Sequence, residues 1–318
     1  MLRVDRNPLS VEIASELRDA LHRRQKELPA RWLAAVDAAT LRDGAATLPS
    51  HEHEVVEREL ALAVLRDHLP DARPRGVVCI RPSASSVNMT LADALCQRGS
   101  VMSIAAAELD AKLAVEMLER VAARGIGESS SAVACDSTLE LPLPNDFPRP
   151  RVYLCLGNVL GSTTAVGAVR MLRILRTTMY PTDSIILGLE ARRDADLVGP
   201  GSDDAFDAAA SRHLGALGLI NSVIGAEFDV ARFEYRPTYD VENSRLETHL
   251  VARKPCEVTI PGVCDVRLRK GESIRTSVNC TFDRNRVTAM MAGVGLALRQ
   301  WTTDAPGQFV VALATPAT

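Results

Sequence analysis

Four consecutive polar residues, His51-Glu52-His53-Glu54, place two imidazoles and two carboxylates in one short stretch. Imidazole titrates near neutral pH, so His51, Glu52 and His53 are candidates for general-base work. A solvated start to a helix accounts for the same four residues equally well. As a metal centre the stretch is weak. Histidines at i and i+2 share a face only on a strand, and no third ligand follows, so no metal is expected. Arg81 is the second candidate. It follows the apolar run Gly76-Val77-Val78-Cys79-Ile80, at the tip of what reads as a buried strand. A guanidinium at the mouth of an open α/β sheet can hold a sulfate, phosphate or carboxylate, or it can plug the cavity through an internal salt bridge. Glu190 ends another apolar run and is followed by Arg192, Arg193 and Asp194, which reads as an ion-pair network in the same cleft. Cys79 and Cys155 fall at strand ends, where buried structural thiols are the expected outcome.

These residues need elements to position them. Apolar runs at 76–80, 100–104, 131–135, 151–157 and 185–190 read as strands. They alternate with helical stretches near 90–96, 108–124 and 165–179. Strands without polar alternation, separated by helices, predict right-handed βαβ units and a parallel sheet covered on both faces. Two further helices are expected upstream, at 10–26 and 55–69. Downstream the texture changes: a helix over 202–217, then alternating strands at 246–252, 256–260, 266–269 and 273–278. A helix at 284–293 precedes a closing hairpin, 298–302 with 309–314, turning at Asp304-Ala305-Pro306-Gly307. The domain expectation is 60–196 plus 284–318 for the parallel-sheet domain, with 1–59 plus 197–283 forming a substrate or lid lobe.

The 318 residues carry 37 basic and 40 acidic side chains, with no Lys/Arg run. Nucleic acid and an anionic membrane surface are therefore not expected partners. No apolar stretch reaches the roughly 18 residues of a membrane span. The start of the chain reads as helix rather than as a signal core. Seven cysteines without a CxxC pair suit free thiols in a reducing cytoplasm, so Cys256 and Cys264 are expected to stay unlinked.

A set of short stretches resembles the histidine Nα-methyltransferases of ergothioneine biosynthesis. They are Leu154-Cys155-Leu156-Gly157, Ile186-Leu187-Gly188, Asp203-Asp204, Ala226-Glu227-Phe228-Asp229, Phe233-Glu234, Arg245-Leu246-Glu247, Arg253, Gly271-Glu272, Arg275-Thr276 and Trp301-Thr302-Thr303-Asp304. Upstream, Glu27-Leu28-Pro29, Trp32 and Leu48-Pro49 fit the same family. The resemblance implies an α/β fold: a class I, Rossmann-like methyltransferase sheet with an inserted α+β second lobe. It also implies an S-adenosylmethionine (SAM) site, which this chain alters. Where the family reads Glu-Leu-Gly-Ser-Gly, this chain reads Cys79-Ile80-Arg81-Pro82-Ser83. Both glycines are gone, and Pro82 removes a donor. The acid expected at the end of the second strand is matched to Ser103. Asp136 stands where the family has the aspartate that faces adenine.

The amino-acid pocket also departs. The loop after the fourth strand is Gly157-Asn158-Val159-Leu160-Gly161-Ser162, so Asn158 and Ser162 become the polar groups there. Ser277 and Asn279 take the places of the glutamate and serine that hold the imidazole in the family. Histidine is therefore a poor substrate expectation, and no cofactor is expected. Three functions stay open from sequence. One is a SAM-independent enzyme of secondary metabolism acting on an amino-acid-derived substrate by elimination or ring closure, such as aziridine formation with loss of sulfate. Its anion would sit on Arg81 and its base would come from His51, Glu52, His53 or Asp136. Another is a pseudoenzyme subunit that supports a protein partner. The third is a SAM-dependent N-methyltransferase on an amino acid.

Overall fold

The computed structural model describes residues 8–42, 51–69, 73–82, 85–99, 101–108, 111–123, 129–134, 140–191 and 203–317. Its elements, in chain order, are α1 (Pro8–Leu21), the two-residue β1 (Lys26–Glu27), α2 (Ala30–Arg42), α3 (His51–His68), β2 (Gly76–Ile80), α4 (Val87–Cys96), β3 (Ser103–Glu108), α5 (Ala111–Ala123) and β4 (Ser129–Ala134). Next come β5 (Arg151–Cys155), α6 (Ala165–Thr178), β6 (Ser184–Glu190), α7 (Asp203–Ile224), β7 (Phe233–Asp240), β8 (Arg245–Ala252), β9 (Cys256–Ile260) and β10 (Cys264–Leu268). The chain closes with β11 (Ser273–Cys280), α8 (Arg284–Ala292), β12 (Leu296–Thr303) and β13 (Phe309–Pro316). Contacts divide it into two units. One comprises 1–48, 198–241 and 246–278; the other comprises 49–197, 242–245 and 279–318.

The second unit holds a seven-stranded sheet in the order β12-β13-β6-β5-β2-β3-β4. Strands β2 to β6 pair in parallel, and β13 and β12 add antiparallel to β6 and to each other. The described strands β2, β3 and β5 are buried along their full length, which is why their sequences show no alternation. Helices α3 and α4 supply Ala61, Val64, Leu65, Leu91 and Leu95 to a core that also takes Val77, Ile104, Leu154 and Ile186 from the strands. Each of the Val, Leu and Ile side chains among these contributes about 1.5–3 kcal/mol by leaving water. Thr164 caps α6 by accepting from the Gly167 amide, and Asp283 caps α8 by accepting from Arg286 N. From β2 the chain runs outward to β3 and β4. It then returns to the other side of β2 for β5 and β6. This reversal leaves a crevice outside the carboxyl ends of β2 and β5, the place where open α/β sheets bind ligands.

The first unit contains the sheet β1-β11-β8-β7 and the antiparallel hairpin β9–β10. Leu17, Leu21, Trp32, Leu217, Ile220, Phe228, Phe233 and Ile274 lie in its own apolar core. His213 is buried there, its Nδ1 2.7 Å from Thr276 Oγ1, and burial with the adjacent Arg212 lowers its pKa to about 3. Cys256 pairs with Leu268 and Cys264 with Ile260 across the hairpin, so the two cysteines do not face each other. Both are free thiols. Among the described residues, no helix is long and apolar enough to cross a membrane.

Two sequence expectations shift in register. The strand expected at 100–104 is Ser103–Glu108, and the helix expected from 108 begins at Ala111. The helix expected over 202–217 runs on to Ile224.

Candidate functional site

The loop that leaves β2 begins with Arg81. Its φ is 48°, in the left-handed region that glycine adopts readily and other residues avoid. The turn is pinned by the Arg81 amide, which donates to the Ala107 carbonyl at 2.7 Å. The backbone shape of a glycine turn therefore persists although a long cationic side chain occupies the position. Arg81 Nη1 donates to Ser162 Oγ at 2.8 Å, spanning from the loop after β2 to the loop after β5. Ser162 Oγ passes its own proton to the Val159 carbonyl at 2.7 Å. Arg81 Nε is buried and has no hydrogen-bond partner. Pro82, next in the chain, is buried.

The loop after β5 uses two left-handed residues in succession, Gly157 (φ 79°) and Asn158 (φ 49°). Asn158 Nδ2 donates to Asn279 Oδ1 at 2.5 Å, and its Oδ1 accepts from the Glu190 amide at 3.2 Å. Asn279 Nδ2 in turn donates to Glu190 Oε1 at 2.9 Å. These bonds join the ends of β5, β6 and β11 into one polar ring. Backbone bonds from Cys280 N to Gly161 O and from Phe282 N to Glu190 O, at 2.8 and 2.9 Å, hold the ring's frame. The structure thus brings together Arg81 with Ser162, and Asn158 with Glu190 and Asn279.

His53 is exposed, its ring 4.6 Å from that of Phe309, which is the ladder partner of Glu190. His51 and Glu52 open α3, and their side chains lie outside the described residues, as do Asp136 and Arg193 entirely. Ser277 is on β11, two residues before Asn279, and falls in the first unit. Among the described residues, no group of three or more His, Cys, Asp and Glu side chains is arranged to hold a metal. Burial pushes the thiols of Cys79 and Cys155 up to about 12, so neither is a thiolate nucleophile at neutral pH.

Sequence matching missed two carboxylates. The first is Glu108. Ser103, matched to the acid that ends the second strand, instead begins β3, at the opposite end of that strand. The residue that ends β3 is Glu108, 1% exposed. The acid at that strand end is therefore present. The second is Glu57, on α3, 8% exposed. Its Oε1 accepts from the Gly157 amide and its Oε2 from Ser85 Oγ, both at 2.7 Å. Burial raises its pKa against these two bonds, and Glu54 and Glu190 push the same way. One turn earlier, Glu54 accepts from Ser86 N and Oγ at 3.1 and 2.7 Å. The only signal for Glu57 in the sequence is its spacing of three from Glu54, which places both on one face of the helix.

A fit for SAM can be tested against this geometry. Glu108 suits a ribose diol by the logic of dinucleotide folds. The loop after β2 does not suit a sulfonium donor. A glycine cradle lets backbone amides approach the ligand, whereas here a guanidinium crosses to Ser162 and would face a second cation. Glu108 thus suits the group, whereas Arg81, reaching to Ser162, departs from a glycine cradle.

Comparisons with known proteins bear on the same question. The family model described as histidine-specific, SAM-dependent methyltransferase matches residues 85–316. The histidine N-alpha-methyltransferase of Mycobacterium tuberculosis is 28% identical over 298 residues, covering 92% of each chain. That of Mycolicibacterium smegmatis is 26% identical over 314 residues, covering 97% of this chain and 98% of its own. Among solved structures, the CcbJ methyltransferase from Streptomyces caelestis superposes with a TM-score of 0.50 at 16% identity, covering 86% of this chain and 98% of its own. The mitomycin 7-O-methyltransferase MmcR gives 0.50 at 13% identity, covering 98% and 69%. The fold is that of a class I methyltransferase, as the resemblance implied.

Proposed function

This chain belongs to the histidine-specific, SAM-dependent methyltransferase family; departing from the family's activity at Arg81, we propose that it acts on an amino-acid-derived substrate without using SAM. Arg81 carries the reading. Its guanidinium stands in the loop that a glycine cradle would leave open, and its buried Nε still lacks an acceptor. An anionic group on the substrate supplies that acceptor. The chemistry that follows is elimination or intramolecular displacement with a sulfate-like leaving group. In the ring-closing form, the substrate's amine forms a new C–N bond. The C–O bond to sulfate breaks with its electron pair on oxygen, and the proton released from nitrogen passes to a base. His53 is the candidate base whose side chain is described, beside the strand end that carries Glu190. Glu190 orients the amine, and Asn158 positions Glu190 by accepting from its amide. The catalysis asked of the protein is positioning and anion stabilisation. Histidine itself is disfavoured because both polar atoms of the Asn279 amide are engaged, by Asn158 and by Glu190.

A second reading, SAM-dependent N-methylation of an amino acid, is favoured by Glu108 at the end of β3 and by the likeness to the two mycobacterial histidine N-alpha-methyltransferases. Calorimetric titration with SAM and with S-adenosylhomocysteine separates the two. The parent protein is expected to give no heat up to about 1 mM ligand, the upper edge of ordinary cofactor affinity. Micromolar binding by the parent would replace the proposal with the second reading, and amino-acid methyl acceptors would then be screened.

A further inference from the structure

Glu57 belongs to none of the residue sets from which the sequence builds a site, yet it bonds to two separate segments at the crevice. It reaches from α3 to the loop after β5 through the Gly157 amide, and to the segment entering α4 through Ser85 Oγ. Ser85 Oγ also accepts from the Val87 amide at 3.2 Å, so the bond continues into the first turn of α4. Space around the carboxylate is equally specific. A Cβ placed on Gly188 of β6 would overlap Glu57 Oε1, and Leu156 lies beside the same point. Strand β6 is thus built bare at the position that admits this acid.

We propose that Glu57 is the positioning residue of the crevice: a single buried carboxyl that holds the loop after β5 and the segment entering α4 in one fixed relation. Through Gly157 it sets the left-handed turn that aims Asn158 at Glu190 and Asn279. Through the same loop it sets Ser162, and with it the direction of the Arg81 guanidinium. It touches no reacting atom in this role. Its work is done on the groups that do.

Hydrogen exchange followed by mass spectrometry tests this on the full chain, with Glu57→Leu, Glu57→Asp and Glu57→Gln beside the parent. Leucine keeps the bulk and loses both acceptors. Aspartate is one methylene short. Glutamine can still accept from Gly157 and can donate to Ser85 Oγ. The expectation is that peptides over 157–162 and 85–91 both exchange about tenfold faster or more in the Leu and Asp variants. Glutamine restores protection to both, while peptides from α6 keep the parent's rates. The proposal is overturned if the Leu variant leaves either segment unchanged, if all peptides loosen together, or if glutamine protects no better than leucine. A sulfate arm reads the consequence for Arg81. The melting temperature in sodium sulfate, against sodium chloride of equal ionic strength, is expected to rise for the parent and Gln variant and not for Leu. Only this arm rests on the anion reading. No rise in the parent removes that reading, and exchange alone then decides the role of Glu57.

Discussion

The loops that follow β2 and β5 both enter the left-handed region, by different means. After β5, glycine takes the first left-handed position and asparagine the second, and asparagine is among the residues that tolerate it. Its side chain then joins a ring of hydrogen bonds to Glu190 and Asn279. After β2, arginine takes the position with none of that compatibility. Holding it there costs about 1 kcal/mol. One described side-chain bond, to Ser162, offsets that cost, and Nε is left without an acceptor. The loop after β5 is shaped for its own stability. The loop after β2 carries a strained residue with unused donor capacity, the condition expected of a ligand site.

Substitutions can break or sharpen that contrast. The largest effect is expected at the point where the β5 loop is anchored. Gly188→Ala drives a methyl into the Glu57 carboxylate and should cost about 3 kcal/mol in chemical denaturation, at the upper end for overpacking. A loss under about 1 kcal/mol would mean that Glu57 can leave its place cheaply. Next comes Asn158→Gly. The turn is kept but three side-chain bonds are lost, one of them long, for about 2 kcal/mol. Arg81→Gly is the matched experiment on the other loop. Relief of the left-handed strain, about 1 kcal/mol, is offset by loss of the Ser162 bond, so the change should stay within about 0.5 kcal/mol of zero. If both glycine variants lose stability equally, the contrast between the loops is wrong.

The smallest effect is a matter of pH. The folded pKa of Glu57 is raised by burial. The stability it contributes is therefore present in full below its unfolded pKa, and is lost as pH rises through the folded value. Glu57→Gln removes that dependence. The variant's melting temperature should gain on the parent's between acid and neutral pH. A gain that shrinks over that range would reverse the sign assigned to Glu57.

Particular residues show where the sequence was readable. The runs Gly76–Ile80, Arg151–Cys155 and Ser184–Glu190 become strands because their interiors are apolar without alternation, short, and bounded by breakers. The strand Ser103–Glu108 slips because Ala105-Ala106-Ala107 has weak strand preference and merges with the helical pattern that follows. That slip moved Glu108 into an expected helix and left Ser103 at the place of an acid. Strand β7 carries Pro237, which hides it from pattern reading. Arg81, Asn158, Ser162, Glu190 and Asn279 were legible because a resemblance aligned them with pocket positions. Glu57 was not. It is one carboxylate in the polar stretch Glu57-Arg58-Glu59, and burial of one member of such a run is decided by what packs against the helix.

The missing side chain at position 188 has a historical corollary. An acid at 57 in this pose and a side chain at 188 compete for one space. Glycine at 188 lets the acid be shortened alone, whereas a larger residue at 188 displaces the Glu57 carboxyl from the Gly157 amide. A lineage that enlarged 188 without that clash would shorten the acid first, through an intermediate whose loop after β5 had lost its anchor. The two sites, 131 positions apart in the chain, are coupled in space.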